Sequence, residues 1–222
     1  MQNLGKKVDF DTARKNMVKN QVMPSDVTNK RLLNAMFEIP REKFVPPENI
    51  AHAYNEIAIP AACEREIIES RFLGKMIDTF DPNPNELILD VGCVMGYSTA
   101  ILARLSQAVV MLENPELSSG REKIFTELGL DNVIVAKNSI TEGVKEHAPY
   151  EGIFIQLAID YFPEEFKDQL KVGGKALVVF QREGVKQCYS GFKTEAGMNW
   201  TYQFDANVAY LSEFKVERGF EF

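Results

Sequence analysis

The chain is expected to fold as an α/β protein built on a mostly parallel sheet with helices on both faces. Three observations carry that expectation. Strand-like apolar runs alternate with helix-like periods between residues 86 and 180. The ten residues Asp90-Val91-Gly92-Cys93-Val94-Met95-Gly96-Tyr97-Ser98-Thr99, entered from Leu87-Ile88-Leu89, read as strand, glycine turn and helix. A chain of 222 residues with 45% hydrophobic content is long and apolar enough to bury the core of one such domain.

Residues 1–60 are read as a helical addition ahead of the sheet. From Val8 to Val22, apolar residues recur at Phe10, Ala13, Met17, Val18 and Val22 with roughly helical spacing. Asp26-Val27 is expected to cap a second helix carrying Leu32, Leu33, Ala35 and Met36. Ile39-Pro40 and Phe44-Val45-Pro46-Pro47 then break helix twice, because proline lacks an amide donor and pushes the preceding residue toward extended backbone. A helix at about 67–80 follows. The alternation then runs strand 86–91, helix 97–105, strand 107–112, helix 115–128, strand 132–136, strand 152–156, helix 164–170 and strand 174–180. Strand-like runs near 185–193, 199–204 and 206–212, with a turn at Glu195-Ala196-Gly197, predict an antiparallel hairpin at one sheet edge. The reading is a single domain over 1–222, with 1–80 a helical extension that includes the substrate-side segment and 81–222 the core.

Composition argues against several classes of function. The 32 acidic residues outnumber 25 basic ones, and a formal charge of −7 disfavours nucleic acid or an anionic membrane surface as partner. No apolar stretch reaches the ~20 residues that span a bilayer. Met1-Gln2-Asn3-Leu4-Gly5-Lys6-Lys7 leads into polar helix rather than a signal sequence, so a cytoplasmic location is expected. Cys63, Cys93 and Cys188 are too few and scattered for a disulfide framework, and with only His52 and His147 no metal site is expected.

In open α/β sheets, ligands bind beyond the carboxyl ends of the strands, so strand-end residues are the candidates. Asp90 closes the first strand. It would repel a pyrophosphate seated on the following helix, whereas a cationic, phosphate-free ligand such as S-adenosylmethionine suits it. Asp90, Gly92 and Gly96 therefore either cradle that cofactor or make a tight turn with no ligand. Glu113 closes the second strand near the spacing at which an acid accepts hydrogen bonds from ribose hydroxyls. Its other reading is an acid favoured by the dipole of the helix opening at Asn114-Pro115. Asn138 and Ser139 follow the third strand as a pair able to meet an adenine edge or to close a turn, and Gln156 is read chiefly as satisfying a turn. Val94 stands where a nucleotide-type turn carries a third glycine at positive φ, a conformation that β-branched residues tolerate poorly.

Further stretches join these: Ala13-Arg14-Lys15-Asn16-Met17-Val18 with Gln21, Arg31-Leu32-Leu33-Asn34-Ala35-Met36, Ile39-Pro40-Arg41-Glu42-Lys43-Phe44-Val45-Pro46, Ala53-Tyr54, and Gln169-Leu170-Lys171-Val172-Gly173-Gly174. With the turn from Asp90 to Ala100, they make the chain resemble the protein-L-isoaspartate O-methyltransferase family of class I S-adenosylmethionine-dependent methyltransferases over nearly its full length. Phe204-Asp205-Ala206 and Gly219-Phe220-Glu221-Phe222 look like a bacterial branch of that family. The resemblance implies a Rossmann-like three-layer sandwich whose seven-stranded sheet is mostly parallel, with its last pair antiparallel. It also implies S-adenosylmethionine as cofactor and, as substrate, a protein or peptide carrying isoaspartyl residues, methylated on the free carboxylate. Such a transfer needs alignment more than acid-base help, since a carboxylate is already nucleophilic and a sulfonium already a good leaving group.

The family's Gly-Gln-Thr-Ile-Ser-like substrate segment corresponds here to Cys63-Glu64-Arg65-Glu66-Ile67-Ile68-Glu69-Ser70, where hydroxyls have largely become apolar or acidic. Ser70 is the remaining hydroxyl to position an acceptor, unless it caps the next helix. Glu64, Glu66 and Glu69 repel an incoming carboxylate, and Arg65 either offsets them or pairs with its neighbours. The resemblance implies that Val94 would project where the cofactor's amino-acid portion lies in the family, so weakened or lost cofactor binding is expected. Three readings stand: an isoaspartyl-type carboxyl methyltransferase with an altered pocket; a catalytically inactive member of the fold that acts by binding a protein partner; and a methyltransferase for another acceptor, small molecule or nucleic acid, the latter disfavoured by the acidic charge.

Overall fold

The computed structural model of the chain describes residues 9–216, so Val8 and the stretches quoted above at 1–7 and 219–222 lie outside the described residues. Asp9 accepts from the Thr12 amide at 3.1 Å and caps α1 (Phe10–Met17), which continues as a π-helical turn over Val18–Val22. Asp26 ends this run in the left-handed region at φ 64°, and so does not open the next helix as expected. That role falls to Asn29, whose side chain accepts from the amides of Arg31 and Leu32 at the head of α2 (Lys30–Glu38). Two short strands, β1 (Ile59–Pro60) and β2 (Glu66–Ile67), pair antiparallel and delay the helix expected from 67, so that α3 runs Ser70–Phe80.

The alternation follows as read: β3 (Leu87–Val91), α4 (Tyr97–Leu105), β4 (Ala108–Leu112), α5 (Pro115–Ser118), α6 (Arg121–Glu127), β5 (Val133–Ala136), β6 (Tyr150–Ile159), α7 (Glu164–Gln169), β7 (Leu170–Arg182), β8 (Val185–Thr194) and β9 (Gly197–Asp205). The helix expected at 115–128 is two helices, because Gly120 breaks it at φ 75°. The sheet order is β5-β4-β3-β6-β7-β8-β9, parallel from β5 through β7 and antiparallel at β8 and β9. Residues 206–212 do not form the further strand expected there. They run as a strap tied to the sheet by one parallel bridge, Ala158 to Tyr210, and then turn at Ser212–Phe214.

Buried on both faces, β3 and β4 are almost uninterrupted apolar runs, which is the pattern of central parallel strands. In α4 every residue but Arg104 is buried, so this helix needs a cover on the side away from the sheet. The amino-terminal addition supplies it. Its motif residues are fastenings: Arg14 Nε donates to the Phe37 carbonyl at 2.7 Å, Gln21 Nε2 to Tyr54 at 2.9 Å, and Arg41 to Ala53 and Ile68, each at 2.8 Å. Arg41 is wholly buried, with its guanidinium 4.9 Å from the centre of the Tyr97 ring, and burial lowers its pKa.

At the antiparallel end, Trp200 lies directly across from Gly191, and a Cβ there would stand 2.4 Å from the indole. The missing side chain makes room for the ring, which also packs edge-on against Phe162 and Phe180. Gly191→Ala is therefore expected to lower stability by about 1–3 kcal/mol. Trp200 is the only tryptophan, so its emission should shift as well; an unchanged spectrum and urea midpoint would contradict this packing.

Candidate functional site

The turn after β3 is shaped by three alternate residues at positive φ: Gly92 at 66°, Val94 at 56° and Gly96 at 88°. The backbone thus keeps the glycine-type conformation at the position where valine replaces glycine. A β-branched residue held there is strained, and such strain persists only where surrounding contacts over-determine it. Here the Val94 amide donates to Glu113 Oε2 at 2.7 Å and its side chain is 1% exposed.

Asp90 is fully buried beneath this turn. Its Oδ2 accepts from Ser98 Oγ at 2.8 Å and Thr99 Oγ1 at 2.7 Å, both on the first turns of α4, while Oδ1 has no partner. Gln156 Nε2 donates to Ser98 Oγ at 3.1 Å and to the Gly92 carbonyl at 3.2 Å, closing a network that holds the turn against β6. A bulge places it there, since β6 carries extra residues between Phe154 and Ala158 opposite β7. Burial pushes the Asp90 carboxyl up to about 7, against the pull of the two hydroxyls and with a further push from Glu113. The unpartnered oxygen fits a carboxyl that keeps its proton.

Glu113, at the end of β4, is also buried, but its solution is different. Oε1 accepts from the Asn114 amide at 2.7 Å and faces Arg65 Nε at 3.4 Å, and Oε2 is taken by the Val94 amide. Burial raises its pKa, offset first by the Arg65 charge and then by the two amides. Arg65 continues to Glu213 at 2.6 Å and to the Cys63 carbonyl at 3.2 Å. The guanidinium therefore bridges β4 and the strap rather than pairing with its acidic neighbours Glu64, Glu66 and Glu69.

Above Gly92 sits Leu211. A Cβ on Gly92 would lie 3.2 Å from its Cδ2 and 3.7 Å from Leu157 Cδ1. The cavity lined by Arg41, Ile68, Cys93, Val94, Tyr97 and Gln156 holds about 10 Å³, room for about one water. Small-molecule sites run to ~300 Å³ and more. The space beside Val94 is thus nearly filled by the chain's own side chains.

Among the described residues the other candidates make no side-chain hydrogen bond to Asp90 or Glu113. Asn138 and Ser139 form a surface turn, bonding to Glu146 at 3.3 Å and Thr141 at 3.1 Å. Ser70 opens α3 with its hydroxyl buried and unpartnered, and Glu69 holds the cap position without bonding a helix amide, its carboxylate accepting instead from Arg71 Nε at 2.6 Å. Glu64, Glu66 and Glu69 line a cleft of about 420 Å³ with Lys186, Tyr210 and Ser212, outside the strap, and Lys186 is engaged by the Val208 carbonyl at 2.5 Å. Among the described residues no cluster suited to a metal ion occurs. Leu211 and Glu213 carry no local signal of their parts in this site; only folding brings the strap over the turn.

A family model described as protein-L-isoaspartate(D-aspartate) O-methyltransferase matches residues 12–217. The protein-L-isoaspartate O-methyltransferase of Petrotoga mobilis is 28% identical over 86% of this chain and 90% of its own length. That of Methanospirillum hungatei is 33% identical over 74% and 76%. A solved structure of the same name superposes with a TM-score of 0.78 at 21% identity, covering 89% of this chain and 65% of the solved one. A Plasmodium falciparum relative, solved with S-adenosyl-L-homocysteine, gives a TM-score of 0.76 at 18% identity, with 89% and 97% covered. The last two comparisons bear on the fold: the same sandwich with an antiparallel end.

Two outcomes follow from the turn. For Val94→Gly, relief of ~1–2 kcal/mol of left-handed strain is outweighed by the loss of ~1.5–3 kcal/mol of isopropyl burial and ~0.5–1 kcal/mol of glycine chain entropy. The variant should be less stable by about 1 kcal/mol in urea, and a gain of that size would refute the balance. Asp90 binds its proton more tightly folded than unfolded, so its contribution is fully present below its unfolded value of 3.8 and is lost as pH rises through about 7. Asp90→Asn should flatten the dependence of unfolding free energy on pH across that window, and parallel profiles for variant and wild type would show that Asp90 stays ionised.

Proposed function

This chain belongs to the protein-L-isoaspartate O-methyltransferase family, and we propose that it is an S-adenosylmethionine-dependent carboxyl methyltransferase of the isoaspartyl type. The observation that carries the reading is the match of the family model to residues 12–217. The strand-end geometry supports it, because two buried carboxylates, Asp90 and Glu113, flank a turn with three left-handed residues. Glu113 is the group for ribose hydroxyls and the turn backbone the cradle for the rest of the cofactor, which supplies the methyl group. A protein or peptide carrying an isoaspartyl residue is the acceptor. No helix among the described residues is long and apolar enough to cross a membrane, and the free cysteines Cys63, Cys93 and Cys188 agree with a reducing, cytoplasmic setting.

The closed strand end favours a second reading. With Val94, Leu211 and Arg65 filling the place of a ligand, the chain serves as a non-catalytic scaffold that binds a protein partner. The two are separated by offering methyl-labelled S-adenosylmethionine and one peptide in its aspartyl and isoaspartyl forms. A transferase labels the isoaspartyl form alone, slowly in the wild type and faster when Arg65 is removed. No label with the wild type or with Arg65→Ala/Val94→Gly sinks the transferase reading and leaves the scaffold.

A further inference from the structure

We infer that this chain seats its own Arg65 where a nucleoside would bind, so that the protein rests with its cofactor place latched shut from within. The inference rests on the methyltransferase reading for the identity of that place, and on this chain's own contacts for the latch.

Ribose hydroxyls need free acceptor sites on an acid, and Glu113 has few left. An ionised carboxylate offers about four acceptor positions. Three are used, by the amides of Asn114 and Val94 and by Arg65 Nε. The guanidinium presents N–H groups in a fixed fork, the same donor chemistry that a vicinal diol would bring to that carboxylate. Its side chain is 1% exposed, so it is part of the interior and not a surface arm resting nearby.

The segment that delivers Arg65 is built for one conformation. Cys63 and Glu64 are consecutive non-glycine residues at positive φ, 57° and 55°. Ala61 N donates to the Arg65 carbonyl at 2.8 Å and Arg65 N to the Ala62 carbonyl at 3.1 Å, closing the turn. Such strain is held only when the contacts at its far end compensate, and here those contacts are the two carboxylates.

The second half of the latch is the strap. Ala158 N donates to Ala209 and Leu211 N to Ala158, each at 2.8 Å, which fixes Leu211 over Gly92. Two residues later the same strap brings Glu213 to Arg65. An apolar contact on the turn and an ionic contact on its gatekeeper are thus made by one segment and must open together. Glu213, at 30% exposure, is the weakly buried end at which opening starts.

The full-length chain tests this without relying on activity. Amide hydrogen exchange at Val94 and across 209–214 is compared in wild type, Glu213→Gln and Arg65→Ala, with no ligand present. Glu213→Gln removes only the partly exposed charge and keeps the protein folded if Arg65→Ala does not. Exchange should quicken roughly tenfold or more in either variant, and unchanged rates overturn the latch. Calorimetric titration with S-adenosylmethionine then reads the same site. Arg65→Ala/Leu211→Ala should bind it at least roughly tenfold tighter than wild type. Wild type binding as tightly as the double variant overturns the latch and leaves the methyltransferase reading standing. Faster exchange with no binding by any variant removes the methyltransferase reading and, with it, the claim that the place Arg65 fills is a cofactor's.

Discussion

A carboxyl group inside a protein must either find donors or hold its proton, and the tip of this sheet buries two such groups side by side. Each is answered differently. Asp90 draws on hydroxyls from α4 and on a raised proton affinity, so it ties the strand to the helix that follows. Glu113 draws on a cation from far away in the chain, so it ties β4 to the segment between β1 and β2 and, through Glu213, to the strap. A buried ion pair adds little net stability, but removing one partner strands the other charge. What such a pair supplies here is placement, since it ties the segment and the strap to the same carboxylate.

The same logic runs through the amino-terminal addition. Because α4 is apolar on nearly every side, it needs cover beyond the sheet, and α2 provides it. Arg41 then fastens that cover to the substrate-side segment by donating to the Ile68 carbonyl beside the Tyr97 ring. An addition outside the sheet therefore decides where residues 66–70 lie, and with them the approach to the turn.

Most of the fold was legible because hydrophobic period and turn chemistry are local. The alternation from β3 to β7, the hairpin of β8 and β9 and the strand–turn–helix at Asp90 all follow from short windows of sequence. Boundaries slipped where a local rule had two solutions: Asp26 and Asn29 are both good caps, and only the left-handed φ of Asp26 decides between them. Residues 206–212 have strand-like composition but no free strand beside them, and they became a strap. The candidate site was half legible. Asp90, Gly92, Gly96 and the misplaced bulk of Val94 stand in one motif, whereas Arg65 meeting Glu113, and Leu211 meeting Gly92, are long-range contacts with no periodic trace. Asn138 and Ser139 follow the expected strand, yet among the described residues they bond only to their own loop.

One consequence of the antiparallel end reaches beyond the single molecule. Among the described residues β9 pairs with β8 alone, and its span from Gly197 to Asp205 carries no lysine and only one charge. Such a border leaves a row of backbone amides and carbonyls ready to accept a stranger's strand, with Tyr202 exposed beside it. Among the described residues, that rim is therefore where the strand of a second copy would find backbone partners in a crowded or partly melted preparation.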